Sequence, residues 1–415
     1  MRVLKGRGAE AFVAKLEHRG GTSLARVEQQ VRRIVDDVRK RGDRALRRYA
    51  EKWDKLAPRQ PIRVPEAELK QAWDSTSDNF KQALNVGATN ICQYCEWQRP
   101  REWRRELATG SEVGQILRPL HSAGCYVPGG RHPLVSTLLM TVIPAQVAGV
   151  KNVRVVSPKP QYELLAAAHL LGVHEIYRVG GAQAVAALAY GTSMIPRVDK
   201  IVGPGNLYVT LAKKLVSFDC AIDFLAGPTE VVILSNAGRA EFIGADLVAQ
   251  AEHDPAAIAI LITNSRQLAR GVSKAVARIA DENLTARHSI ARNGAVLLAR
   301  SRGEALQWAN RIAPEHITVE AEDLPHIQNA GSIFIGDYSA QAAGDYASGP
   351  NHVLPTAGVA RFRGGLSVLD YVKVITVQEL SILGLGKISR TVTYLAETEG
   401  LQAHAQSIRM RCSHA

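Results

Sequence analysis

The stretch 153-VRVVSPKPQYELLAAAHLLGVHEIYRVGG-181 decides the fold class. Val153–Val156 is a short β-branched run, Tyr162–Leu171 is Ala- and Leu-rich helix text closed by Gly172, and Glu175–Val179 is a second β-rich run. Gly180-Gly181 then opens another Ala-rich helix. Two strands separated by a helix cannot pair as a hairpin. They need a crossover, so they lie parallel in a sheet whose faces the helices cover.

Downstream the cycle repeats. Lys200–Val202 leads into Gly203-Pro-Gly205-Asn206, Leu207–Val216 has helical character, and Ala221–Leu225 is strand-like. A second series runs through Val231–Leu234, Ile258–Ile262, Ala295–Leu298, Ile317–Val319 and Ile333–Ile335, with helical text between consecutive strands. The expected fold class is therefore α/β, with two Rossmann-like, mainly parallel domains and ligands at the carboxyl ends of the strands. Upstream, residues 22–107 read as a helical lead-in, with Val27, Val31, Ile34, Val38 and Leu46 at helical spacing. The change of character falls near Cys125. After about residue 366 the text returns to helix and turn, and Glu397–His414 has no strand alternation, giving a small C-terminal helical extension. Such a tail can fold on its own chain or reach a second subunit.

The chain has 415 residues, enough for two or three domains and a large core. No window approaches the ~20 apolar residues that span a bilayer, and the N-terminus lacks a secretory signal pattern, so a cytoplasmic protein without membrane partners is expected. The five cysteines are scattered, and Cys92-x-x-Cys95 lacks the second pair of a four-thiolate site, which reads as reduced and structural. With 51 Lys and Arg against 39 Asp and Glu the net charge is +12. That surplus raises nucleic acid as a partner, but the basic residues (Arg32, Arg33, Lys40, Arg41, Arg99, Arg101, Arg104, Arg105) are dispersed among acidic ones with no recognition motif. A solvated surface is the reading, with no nucleic-acid partner.

The dinucleotide fingerprint is missing. Its nearest match, Gly6-x-Gly8-x-x-Ala11, has no clear strand before it. Phosphates would instead meet the backbone N–H groups of Gly129-Gly130, Gly180-Gly181 and Gly203-Pro-Gly205, although glycine at such turns more often serves φ > 0. Gln250 and His253 are three apart at a helix end and could share a metal; the ordinary alternative is a polar helix terminus. Glu315 and His316 precede a strand-like run and should diverge if extended, with His316 suited to taking a proton and Glu315 to activating water, or else both decorate an exposed turn. Asp345 and His352 lie in a loop dense in Gly, Pro and Asn and are candidates for metal or substrate contact. Glu399 and His404 pair another carboxylate with an imidazole, on what could equally be a solvated helix face. No spacing rule links these segments.

Taken in order, Tyr126-Val-Pro-Gly-Gly-Arg, Gly180-Gly-Ala-Gln183-Ala, Val202-Gly-Pro-Gly-Asn206, Ala226-Gly-Pro-Thr229-Glu, Gln250-Ala-Glu-His253-Asp-Pro, Ala313-Pro-Glu315-His316, the Gly344–Thr356 loop and Glu399-Gly-Leu-x-Ala-His404 resemble the L-histidinol dehydrogenase family over about residues 20–405. The resemblance implies a zinc-dependent homodimer that oxidises L-histidinol to L-histidine through L-histidinal with two NAD, the final steps of histidine biosynthesis. It implies zinc on Gln250, His253, Asp345 and His404, and Glu315 with His316 as the acid/base pair. Thr229, His316, His352 and Glu399, together with the four zinc ligands, would meet the substrate, and Tyr126, Gln183 and Asn206 would meet NAD.

The domains that follow are an N-terminal arm (1–20), a first α/β domain with the helical lead-in (21–125 with 230–366) carrying most zinc and catalytic residues, a second, NAD-binding domain (126–229), and a dimer-crossing extension (367–415) whose Glu399 and His404 complete the partner's site. Thr229 stands where many members carry Ser, keeping the hydroxyl and adding a methyl. Cys125 and His132 have no assigned role. The alternatives are a zinc- and NAD-dependent relative acting on another hydroxy substrate such as sulfopropanediol, against which Glu399, His404 and His352 argue, and, more remotely, a basic nucleic-acid-binding protein.

Overall fold

The computed structural model describes residues 1–19, 24–129 and 133–413, so Gly130 and His132 of the Tyr126 segment, and Gly20 at the end of the arm, lie outside the described residues. The strands are β1 (Arg2–Lys5), β2 (Trp103–Ala108), β3 (Ser111–Pro119), β4 (Ser122–Tyr126), β5 (Asn152–Val156), β6 (Glu175–Tyr177) and β7 (Lys200–Val202). They continue as β8 (Ala221–Ile222), β9 (Glu230–Leu234), β10 (Ile258–Thr263), β11 (Ala295–Leu298), β12 (His316–Val319), β13 (Ser332–Ile335) and β14 (Val372–Leu380).

Two parallel sheets share one compact unit, residues 1–98 with 121–371. One has the order β6-β5-β4-β7-β8 and the other β1-β11-β10-β9-β12-β13. Each begins in its middle (β4, β9), winds outward on one side, then returns to the other (β7, β12), which is the doubly wound topology. In the larger sheet Val232, Leu234, Ile260, Ile262 and Leu297 pack on one face with Trp308, while Val231, Ile233, Leu261 and Val296 pack on the other with Leu247 and Val272. Both faces are buried, so these strands read as unbroken apolar runs, and each enclosed Leu or Ile contributes roughly 1.5–3 kcal/mol.

Several expectations are corrected. The helical lead-in ends at Trp97, in the helix Asp78–Trp97, and β2 follows. Its WRRELA text is exposed throughout and carries no helical or strand periodicity; pairing with β3 makes it a strand. The lead-in helix Ala25–Trp53 lays Val31, Ile34, Val38 and Leu46 on Ala186, Leu188 and Val209, so it covers the five-stranded layer, where the sequence grouped it with residues 230–366. Arg2–Lys5 is a strand after all, paired to β11, and Gly6 joins it to the helix Arg7–Glu17; four residues, of which Leu4 alone is half-buried, are too few to show a period.

The second unit, residues 99–120 with 372–415, is an antiparallel β14-β3-β2 sheet followed by the helices Ile382–Thr398 and Gln402–Cys412. The region after 366 is thus not only helix and turn. The β-branched text Val372-Lys-Val-Ile-Thr-Val377 opens the nine-residue strand Val372–Leu380. The five cysteines are unpaired, and burial pushes the Cys95, Cys125 and Cys220 thiols up to about 12, which leaves them inert. Among the described residues no helix is long and apolar enough to cross a membrane.

Candidate active site

Parallel pairing of β9 with β12 sets His316 beside Val231, so the residues that open these strands, Thr229-Glu230 and Glu315-His316, are neighbours. The helix Ala240–Ala251 runs back over the sheet and ends at this edge with Gln250, His253 following just beyond it. The short helix Gln341–Tyr346 ends here too and delivers Asp345; Gly344 lets it approach, since an added Cβ would stand 2.9 Å from the Phe334 ring. In this sheet the polar cluster therefore lies at the amino ends of the strands, opposite to the expected carboxyl ends. The helices that return antiparallel to the strands present their C-terminal, partially negative ends to it, which favours a cation.

Glu315 and His316 are 6% and 4% exposed, which excludes the exposed-turn reading. Their tips do not diverge either. Glu315 precedes the strand proper, and its Oε2 lies 3.6 Å from His316 Nδ1. Glu230 joins them through its main chain: its N–H donates to Glu315 Oε2 at 2.8 Å and its C=O faces His316 Nδ1 at 3.1 Å. A carbonyl only accepts, so Nδ1 carries the proton and Nε2 keeps its lone pair. Nε2 lies 4.0 Å from Asp345 Oδ1. Thr229 Oγ1 donates to Glu315 Oε2 at 2.5 Å and accepts from Gln250 Nε2. With its amide nitrogen so used, Gln250 keeps a carbonyl oxygen for a ligand. His352 Nδ1 donates to the Asp345 carbonyl at 2.8 Å, leaving its own Nε2 free.

Burial dominates the electrostatics. It pushes Glu315 up to about 8 against its two hydrogen bonds, with the Glu230 and Asp345 charges acting in the same direction as burial. It lowers His316, opposed by Asp345, and brings His352 down to about 4. Asp345 is raised by burial and drawn back by His316 and His253. His316 is thus a neutral imidazole with a free Nε2, as a proton acceptor requires.

The other sequence-predicted residues ring the carboxyl ends of the five-stranded sheet. Tyr126 ends β4, and its Oη accepts from Gly181 N at 2.9 Å. Gln183 donates to Asp54 Oδ2 at 3.1 Å, and Gly180 N reaches the same oxygen at 3.0 Å. Asn206 caps the helix Leu207–Val216 by accepting from Tyr208 N at 3.0 Å and Val209 N at 3.2 Å. The amides expected to hold phosphates at Gly180-Gly181 are therefore already engaged by Asp54 and Tyr126. Gly203, at φ 108°, packs against the Tyr126 carbonyl where a Cβ would collide. Its N–H donates to Asp223 Oδ2 at 2.7 Å and its C=O accepts from Lys213 Nζ at 3.0 Å, within a buried Lys213–Asp223 ion pair.

Two of this unit's cavities adjoin these groups. One, of about 1360 Å³, runs past His253, Tyr346, Phe80, Leu134, Leu139 and Asn283; the other, of about 370 Å³, is lined by Trp53, Asp54, Gly129, Ser157, Lys159 and Gln161. Glu399 and His404 belong to the second unit, Glu399 capping the helix Ile382–Thr398 and His404 in the helix Gln402–Cys412, and both are exposed in the chain. Asp54 and Glu230 were missed by sequence reasoning. Glu230 adjoins Thr229 in a quoted motif, but a hub that acts through its main chain has no residue-type signature; Asp54 has none either, lying 126 residues from Gly180.

A family model for histidinol dehydrogenase matches residues 17–412. The chain belongs to the histidinol dehydrogenase family. A histidinol dehydrogenase of Geobacter sulfurreducens is 43% identical over 417 residues, covering 97% of each chain, and one of Haloarcula marismortui is 45% identical over 426 residues, covering 99% of each. The crystal structure of histidinol dehydrogenase from Elizabethkingia anophelis superposes with a TM-score of 0.94 at 33% identity, covering 100% of this chain and 98% of that one. Membership of the histidinol dehydrogenase family gives the buried Glu315–His316 junction a reaction to serve.

Proposed function

We propose that the protein oxidises L-histidinol to L-histidine through L-histidinal, passing two hydrides to two NAD, as an oxidoreductase of histidine biosynthesis. The observation that carries this reading is the buried His316, whose Nδ1 is committed to the Glu230 carbonyl and whose Nε2 is free. In the first oxidation Nε2 takes the hydroxyl proton as hydride leaves the carbinol carbon. The aldehyde is then hydrated, with Glu315 in its ionised form as the group that receives a proton from water, and the hydrate loses its proton and hydride in turn. Thr229 links Gln250 to Glu315, holding both at the reacting centre.

Gln250, His253 and Asp345, with His404, form the proposed zinc site. An amide oxygen, imidazoles and a carboxylate suit zinc, and the partly buried Asp345 together with the helix C-terminus beside it favours a cation. Among the described residues of one chain no three His, Cys, Asp or Glu side chains are grouped to hold a metal ion. When bound, the metal would hold the substrate imidazole and amino group. His352 and Glu399 would contact the substrate. Tyr126, Gln183 and Asn206, in a domain of residues 126–229, would meet NAD, with the cavity at Trp53 and Asp54 beside them. Glu399 and His404 would come from a second copy of the chain in a homodimer.

The test is a purified-enzyme assay that offers L-histidinol, L-histidinal and sulfopropanediol with NAD. NADH production from the first two is expected; none from histidinol would defeat the reading.

A further inference from the structure

Arg19 ends the N-terminal arm, a segment to which neither the sequence motifs nor the proposed mechanism gives a role. Its side chain is 10% exposed and the Glu230 side chain 3%. All five N–H donors of its guanidinium find acceptors. Nε reaches Glu230 Oε1 at 2.5 Å and Nη2 reaches Oε2 at 2.5 Å, a two-pronged grip on the carboxylate. Nη1 donates to Ile312 O at 2.8 Å and to Leu16 O, and Nη2 to Ala313 O at 3.4 Å. Ile312 and Ala313 directly precede Pro314-Glu315-His316, and Ala313 makes the turn with φ 47°. The Glu230 carboxylate takes one further donor, Ala357 N at 3.1 Å, from the loop whose Thr356 Oγ1 accepts from Gly227 N at 2.5 Å. One ion pair therefore ties the segments that lead into Thr229, Glu230, Glu315 and His316.

We infer that Arg19 and the Glu230 side chain are a positioning pair for catalysis: by anchoring the Glu230 main chain they hold the Glu315 carboxylate and fix the Nδ1–H tautomer of His316, so that Nε2 is the atom that accepts the proton. Neither side chain touches substrate. Their effect passes through the two main-chain bonds of Glu230, to Glu315 Oε2 and His316 Nδ1. A lysine at position 19 keeps the charge but offers three donors from a single point, and it cannot serve the two carboxylate oxygens and the Ile312 and Ala313 carbonyls in one plane. The turnover measurement rests on the histidinol dehydrogenase reading; the tautomer measurement does not.

The experiment compares wild type, Arg19→Lys and the double variant Arg19→Met/Glu230→Met, which removes both charges and so leaves no unpaired carboxylate in the core. In the folded variants kcat should fall roughly ten- to a hundredfold, as for loss of partners that orient a reacting group, while KM for histidinol and for NAD stays within about twofold. Nitrogen-15 spectra of His-labelled protein, with His316 assigned by the His316→Gln spectrum, should show Nδ1–H in the wild type and a mixture of tautomers in the variants. Wild-type kcat in either folded variant overturns the inference, and so does an Nε2–H tautomer in the wild type, whatever the variants do. A wild type inert toward histidinol but with His316 as Nδ1–H would instead overturn the assigned reaction and leave the positioning pair intact.

Discussion

Around the six-stranded sheet the polar groups gather where β9 and β12 begin, whereas around the five-stranded sheet they gather where β4, β6 and β7 finish. The contrast is electrostatic. At the strand beginnings the helix Ala240–Ala251 arrives with its carbonyl end, which suits a cation and a base; at the strand finishes the helices Gly181–Tyr190 and Leu207–Val216 depart with their amide ends, which suit an anion. The two edges also differ in how far they are closed. At the first, imidazole nitrogens and an amide oxygen remain for a ligand. At the second, Asp54, Tyr126 and Asn206 already occupy the amides, so those residues shape the loops, beside a cavity that Asp54 helps to line.

The contrast predicts effects of unequal size. The largest belongs to the base: His316→Gln should lower kcat by about a hundred- to ten-thousandfold with the fold retained, read by steady-state NADH formation. Mixing His316→Gln chains with His404→Ala chains tests the crossing of the C-terminal segment. If His404 serves the partner, each mixed dimer has one intact site, and refolded equimolar mixtures should recover roughly a quarter of wild-type turnover. No recovery, with His404→Ala chains inactive alone, places His404 at its own chain's site; full activity of His404→Ala chains alone shows that it serves no site.

At the other edge, Lys213→Met strands a buried Asp223 and should cost about 3–5 kcal/mol in urea unfolding. A loss below 1 kcal/mol would show that the Gly203 loop does not depend on that ion pair. Asp54→Ala frees Gly180 N and the Gln183 amide and should raise KM for NAD roughly tenfold, at a cost of about 1–3 kcal/mol, without changing KM for histidinol. Equal changes in both would mean that the two edges are not independent.

A pH dependence follows as well. In the unfolded chain Glu315 titrates near its ordinary 4.5, and in the folded protein at about 8. The native state thus keeps a proton that the unfolded chain has lost, and stability should fall as pH rises across that window. Glu315→Gln should flatten this decline in chelator-treated protein, as followed by melting temperature from pH 5 to 8. An unchanged slope would show that Glu315 is already ionised there.

Much of this could be read in advance. Apolar runs such as Val231–Leu234 and Ile258–Ile262, separated by helical text, announce parallel strands because a strand buried on both faces cannot carry polar residues. Ordered motifs shared with a known family named Gln250, His253, Glu315, His316 and Asp345, whose side-chain types are chemically conspicuous. The strands β2 and β14 were harder: β2 is exposed throughout and β14 nearly so, and no burial pattern marks them.

Local sequence sufficed for the alternation of strand and helix, because propensity and burial period act over a few residues. Which edge of each sheet bears the chemistry, that Glu315 and His316 converge, and that Arg19 meets Glu230 across 211 residues were settled by folding alone. Those contacts depend on strand order, which brings remote segments together, and no local pattern records which remote side chain will be the neighbour.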